Sequence, residues 1–212
     1  MKIIATLFFC WFFTISYCQE FVAPAGYDML KETTGDLDKD GTAEKVIVYN
    51  TTDSTDFGFV RELVILKQAN GKWRLWKRSR NAILKSQEGG MMGDPFEDIE
   101  IRNGILIISC SGGSSWKWSY KDKYRFQNNQ FQLIGHWSSA GKPCETWTEV
   151  DCNLQTGKIN YQIDFEKCNN EPEIYKTERE TFYKKGIHIN INNRIPDKIK
   201  IVTPKYKKEI YI

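Results

Sequence analysis

Tight turns recur along this chain, and they restrict it to β-hairpins. Asn70-Gly71, Asn103-Gly104, Asn128-Asn129 and Thr156-Gly157 each separate two runs of branched and aromatic residues. Asn and Gly accept the positive φ that two-residue hairpin turns require, so these pairs predict chain reversals between strands. EKVIVYN (44–50) and VRELVILKQ (60–68) have strand composition, and FEDIEIR and ILIISCS flank Asn103-Gly104. Trp116, Trp118 and Tyr120 alternate, and GIHININ and DKIKIVT place isoleucines on one face with a period of two. No long stretch holds a helical period; a short helix near YDMLKE (27–32) is the single helical expectation. Turns roughly every ten to fifteen residues predict an all-β chain, in a propeller-like arrangement of antiparallel hairpins or, alternatively, a β-sandwich. No clean internal repeat and no Pro- or Gly-rich linker is present, so one β domain is expected.

The start of the chain has another character. Lys2 precedes the apolar run IIATLFFCWFFTIS, followed by YCQE. A positive start, an apolar centre and small residues at Ser16 and Cys18 predict a secretory signal over 1–18, cut ahead of Gln19. The run is short of the ~20 apolar residues of a spanning helix, so no transmembrane segment is expected in the mature chain, 19–212. In a competing reading Cys18 becomes the lipid-bearing first residue of a lipoprotein. Both readings predict export, to the periplasm or beyond.

Export directs the reading of the cysteines. Cys110, Cys144, Cys152 and Cys168 lie beyond the signal. An even number in an oxidising compartment predicts disulfides, with the pairing open. Cys144 and Cys152 flank ETWTEVD and can close a local loop; buried free thiols are the alternative. No CxxC pair is present to argue for zinc. A net charge of +3 makes no case for nucleic acid. The late lysines, Lys184, Lys185, Lys198, Lys200, Lys205, Lys207 and Lys208, read as solvent-facing residues that discourage edge pairing.

One segment carries metal chemistry. Residues 35–46 read GDLDKDGTAEKV. Asp36, Asp38 and Asp40 alternate, Gly41 permits a sharp bend, Thr42 can offer its carbonyl, and Glu44 can reach in directly or through water. Hard oxygen donors in a flexible ring suit Ca²⁺, which takes about 6–8 of them. Asp36, Asp38, Asp40, Thr42 and Glu44 are therefore the expected ligands, and Ca²⁺ the expected ion. The loop is not an EF-hand: Ile47 stands where that motif has its bidentate Glu, and a strand follows instead of a helix.

A second segment, 89–118, holds two glycine-rich turns around a hairpin. GDLDKDG, GDPFEDIEIRNG, GGSSWKW and NLQTGKINY occur in that order. Together they resemble a family of small exported bacterial FG-GAP or VCBS-like proteins. They are also similar to calcium-dependent periplasmic proteins of propeller-like fold, some of which inhibit peptidoglycan-lytic effectors. The resemblance covers roughly residues 30–160 and not 165–212. It implies a cation-holding turn between strands and a protein partner in the cell envelope.

Catalytic sets are thin. His136 and His188 are the only histidines, Ser114 and Ser115 lack a nucleophile elbow, and nothing local asks for a triad through His136. Asp98 and Glu100 share a strand face and could serve glycoside hydrolysis, although exposed acid pairs are commonplace. Trp116 and Trp118 either fill the core or form a platform for a partner or a sugar ring. The chain is expected to be a non-catalytic, calcium-binding exported protein that binds an envelope protein, with inhibition of a lytic enzyme as one form of that role. The alternative is a carbohydrate-binding or weakly glycan-hydrolysing protein using 96–118.

Overall fold

The computed structural model describes residues 20–169 and 171–212. The expected signal over 1–18 and the lipidation reading of Cys18 lie outside the described residues. The regular structure of the described residues is antiparallel β apart from one short 3-10 turn at Gly90–Met92. Strands β1 (Asp28–Gly35), β2 (Glu44–Thr55), β3 (Gly58–Ala69) and β4 (Lys72–Ser79) form one sheet in chain order. Strands β5 (Phe96–Arg102), β6 (Ile105–Gly113), β7 (Lys117–Gln127), β8 (Gln130–Lys142), β9 (Thr146–Asn153), β10 (Lys158–Asn169) and β11 (Glu171–Tyr183) form a second. A small hairpin, β12 (Lys200–Val202) and β13 (Glu209–Tyr211), ends the fold.

The turn dipeptides act as their chemistry requires. Asn70 and Gly71 take φ of 55° and 73°, and Asn103 and Gly104 take 55° and 74°. Among the described residues no sheet closes into a barrel. A propeller divides its strands among four-stranded blades. Only the first sheet has that size, and the seven strands β5–β11 hydrogen-bond as one continuous meander. Val46, Val48, Leu63 and Ile65 of the first sheet join Ile99, Leu106, Ile108, Tyr124 and Phe131 of the second in a single apolar core.

The opposite face of β2 and β3 is also covered. Ile47, Tyr49, Val64 and Leu66 pack with Phe21, Tyr27 and Trp73, and the Phe21 N–H donates to the Trp73 carbonyl at 2.7 Å. Both faces of these strands are thus buried, which explains their nearly continuous apolar runs. The helix expected near 27–32 is instead the start of β1, paired with β2 from Asp28↔Asn50. Pairing satisfies this backbone across the sheet and overrides weak local helix preference.

The two late isoleucine runs form less strand than their alternation predicts. Only Lys200–Val202 is a strand, and Asn190 makes an isolated bridge to Gln132. Their inward residues still alternate: Ile189, Ile191 and Ile201 are buried in the shared core, and the seven late lysines are exposed. Ser79 Oγ donates to the Ile191 carbonyl, which ties this closing segment to β4.

Among the described residues the cysteines form one bridge. Cys144, in the β8–β9 turn, pairs with Cys168 near the end of β10, with Cα atoms 5.1 Å apart. The local Cys144–Cys152 loop is not formed, because Cys152 is an inward residue of β9 and Cys144 sits outside the strand. Cys110 and Cys152 are buried free thiols. No helix among the described residues is long and apolar enough to cross a membrane.

Candidate functional site

The acidic loop joins β1 to β2. Asp36 organises it: Oδ1 accepts from the Asp40 N–H at 3.2 Å and Oδ2 from the Gly41 N–H at 3.0 Å. Gly41 makes the bend with φ of 87°. The Thr42 N–H donates to Asp40 Oδ1 at 2.8 Å, placing exposed Thr42 in the same turn. One carboxylate oxygen from each of Asp36, Asp38 and Asp40 lies within 4.8 Å of the others. That spacing fits oxygens around one divalent ion at about 2.3–2.6 Å from each.

Glu44 sits deeper than the aspartates. It is 1% exposed, and its Oε2 accepts from the Leu37 N–H at 2.7 Å, closing the base of the loop. Burial raises its pKa, the Leu37 N–H opposes that rise, and the Asp38 charge adds to it. Glu44 Oε1 and Asp38 Oδ1 are buried with no hydrogen-bond partner.

A lysine absent from the sequence-based ligand set faces these oxygens. Lys67 of β3 donates to Asp38 Oδ2, to Asp40 Oδ2 at 3.1 Å, and approaches Glu44 Oε1 at 3.6 Å. Its ammonium also lies 4.6 Å from the centre of the Trp76 ring. Partial burial works against its charge, but its hydrogen bonds to Asp38 and Asp40 outweigh burial and raise its pKa. The Thr42 N–H, and then Lys67, lower the pKa of Asp40.

Trp116 and Trp118 belong to a different place. Trp116 is 47% exposed just before β7, and Trp118 packs partly buried against the core. Trp118 stacks on Tyr120, with ring centres 6.0 Å apart and planes 12° from parallel. Gly112 allows this packing: a Cβ there would lie 2.5 Å from the Trp118 ring and 2.8 Å from Gly89. The Gly113 N–H donates to the Gly89 carbonyl at 2.8 Å, so the two glycine-rich turns are stitched together.

The two tryptophans line one cavity of about 600 Å³, with Tyr120, His136 and Arg194 also in its wall. Asp98 and Glu100 are not part of it. They pair instead with Lys31 at 2.9 Å and with Arg102 at 2.7 Å.

Behind the cavity lies a charged cluster. His136 Nδ1 is 2.7 Å from Asp122 Oδ1, Arg194 Nε donates to Asp122 Oδ2 at 2.7 Å, and the Tyr124 hydroxyl lies 3.3 Å from Oδ2. Burial by itself would raise the Asp122 pKa; the hydrogen bond from His136 and the Arg194 charge outweigh it, and the carboxyl falls below its ordinary range. Sequence reading singled out His136 only as a weak triad member and missed Asp122 and Arg194. The available signal was an aspartate at an inward position of β7, between Tyr120 and Tyr124. No serine hydroxyl is hydrogen-bonded to the His136 ring among the described contacts. Burial pushes the thiols of Cys110 and Cys152 up to about 12, far from nucleophilic thiolates.

No protein-family model, curated protein or solved structure matches this chain.

Proposed function

We propose that this chain is an exported, non-catalytic binding domain of the cell envelope, clamped by Ca²⁺ in the 36–44 loop. The observation that carries the reading is the convergence of Asp36, Asp38 and Asp40 within 4.8 Å, beside two buried oxygens on Asp38 and Glu44 that lack a hydrogen-bond partner. Asp36, Asp38 and Asp40 would hold the ion, with Thr42 at the rim and Glu44 beneath. The ion would supply charge neutralisation at the entrance to β2, where Lys67 competes for the same oxygens. The Cys144–Cys168 bridge and the apolar amino-terminal run support export. The resemblance to FG-GAP and VCBS-like proteins supports a cation-holding turn between strands and a protein partner, a lytic enzyme among the candidates.

Binding only to the folded state adds roughly 2.7 kcal/mol at a hundredfold excess over Kd. Calorimetric titration of CaCl₂ into EGTA-stripped protein should give heat, and melting should shift upward by several degrees. Absence of heat together with indifference to EGTA would overturn the calcium reading.

A second reading has its own observation. Trp116 and Trp118 line a cavity within the range of about 300–1,000 Å³ typical of small-ligand sites, which favours a glycan over a flat protein surface.

A further inference from the structure

The wall of this cavity contains a polar atom that the fold leaves without a partner. Asp122, His136 and Arg194 are 1%, 3% and 2% exposed. Ionised Asp122 receives Arg194 and can only accept, so His136 Nδ1 carries the hydrogen in their 2.7 Å contact. The tautomer is thereby set. In the neutral ring Nε2 is a lone-pair acceptor, and it is buried with no hydrogen-bond partner. His136 lines the cavity, and Asp122, which holds its Nδ1, does not.

The rest of the lining defines what would enter. Trp116 and Trp118 offer aromatic surface, with Trp118 braced by Tyr120. Glu88, Asp197 and Glu209 stand in the same lining, and Arg194 is committed to Asp122. Glu88 and Glu209 already pair with Lys85 and Lys200 outside the lining, so an anion would meet carboxylates and no unpaired cation there. A neutral ring with one apolar face and a hydroxyl rim meets both the aromatics and the acceptor.

We propose that the Trp116–Trp118 cavity binds a neutral sugar unit, with His136 Nε2 accepting a ligand hydroxyl and Asp122 and Arg194 holding the imidazole in that tautomer. His136 and Trp116 are contact residues; Asp122 and Arg194 are positioning residues. This rests on the glycan reading above.

The chain has only two histidines, and His188 is exposed, so ¹⁵N-histidine labelling reports His136 with an internal control. Chitotriose and maltotriose are the probes, titrated separately into calcium-loaded mature protein and followed by tryptophan fluorescence and histidine ring ¹⁵N shifts. The expected result is saturable fluorescence change with one of them, a moved His136 Nε2 resonance and an unmoved His188. Trp116→Ala should weaken that binding about tenfold or more. Its unchanged His136–Asp122 signature in the free protein would show that the cluster survives the substitution. Saturable binding with His136 Nε2 unmoved overturns the histidine assignment and leaves the glycan reading standing. No response in either signal overturns both.

Discussion

The Lys67 ammonium lies 3.1 Å from Asp40 Oδ2 and 3.6 Å from Glu44 Oε1, so the loop marked for a divalent ion also faces a tethered cation from β3. Two positive partners cannot share these oxygens without repulsion. Lys67→Met should therefore lower the melting temperature in EGTA, by the equivalent of about 1–3 kcal/mol, because the clustered carboxylates lose their partner. The same variant should bind Ca²⁺ more tightly than the parent. Melting with and without calcium checks both, and weaker calcium binding in the variant would place Lys67 outside the competition.

Glu44 gives a pH dependence of definite sign. Its folded pKa is raised above the ordinary 4.5, mainly by burial. Its contribution is therefore fully present below 4.5 and is lost as pH rises through the folded value. Glu44→Gln keeps an acceptor for the Leu37 N–H and removes that loss. In EGTA at pH 7 it should match or exceed the parent in stability, while its gain from CaCl₂ should shrink. Denaturant midpoints between pH 4 and 8 decide it; a large loss in EGTA contradicts the prediction.

Asp122 runs the other way. Its folded pKa is lowered, so its stabilisation is present above the ordinary 3.8 and lost as pH falls through the folded value. Asp122→Ala leaves Arg194 buried without its counter-charge, at a cost of about 3–5 kcal/mol. Asp122→Asn should cost less and should blunt the acid-side loss. Midpoints of both variants equal to the parent's at neutral pH would show that the cluster is not held by charge.

Arg61 and Asp94 make an asymmetric pair. Arg61 is fully buried on β3, and its guanidinium binds both Asp94 carboxylate oxygens, one through Nη1 at 2.7 Å, while the Asp94 side chain stays 50% exposed. Removing Asp94 strands a buried charge; removing Arg61 leaves a carboxylate that water can reach. Asp94→Ala should therefore destabilise more than Arg61→Met, by about 3 kcal/mol against a smaller loss. Chemical denaturation of both variants checks the order.

The thiols separate cleanly. Mature protein lacking residues 1–18 should show no rapid thiol reaction when folded and two reactive thiols in denaturant, from Cys110 and Cys152. Losing the Cys144–Cys168 bridge should cost about 3 kcal/mol. Peptide mapping that finds Cys144 joined to Cys152 would contradict the fold.

The metal candidates were legible because their spacing is local: alternate aspartates and one glycine lie within six residues. The cavity was half legible. Trp116 and Trp118 stood out, but their partner His136 did not. From the Asn128-Asn129 turn, with Gln127 opposite Gln130, an unbroken register places Asp122 opposite Gly135. A bulge between Lys123 and Tyr124 moves the partner to His136. One inserted residue in the ladder thus creates the charged cluster, and no dipeptide preference announces it.

By itself the sequence determined the turn-marked hairpins, the isoleucine face of the late runs and the acidic loop, since φ preference and period-two burial act over a few residues. Tertiary structure alone decided that β5–β11 join as one sheet, that Cys144 meets Cys168, that Lys67 faces the aspartates and that Arg194 reaches Asp122. Those contacts join residues far apart in the chain, and their selection depends on strand register and on which buried charges can find partners, quantities defined only once the whole core has closed.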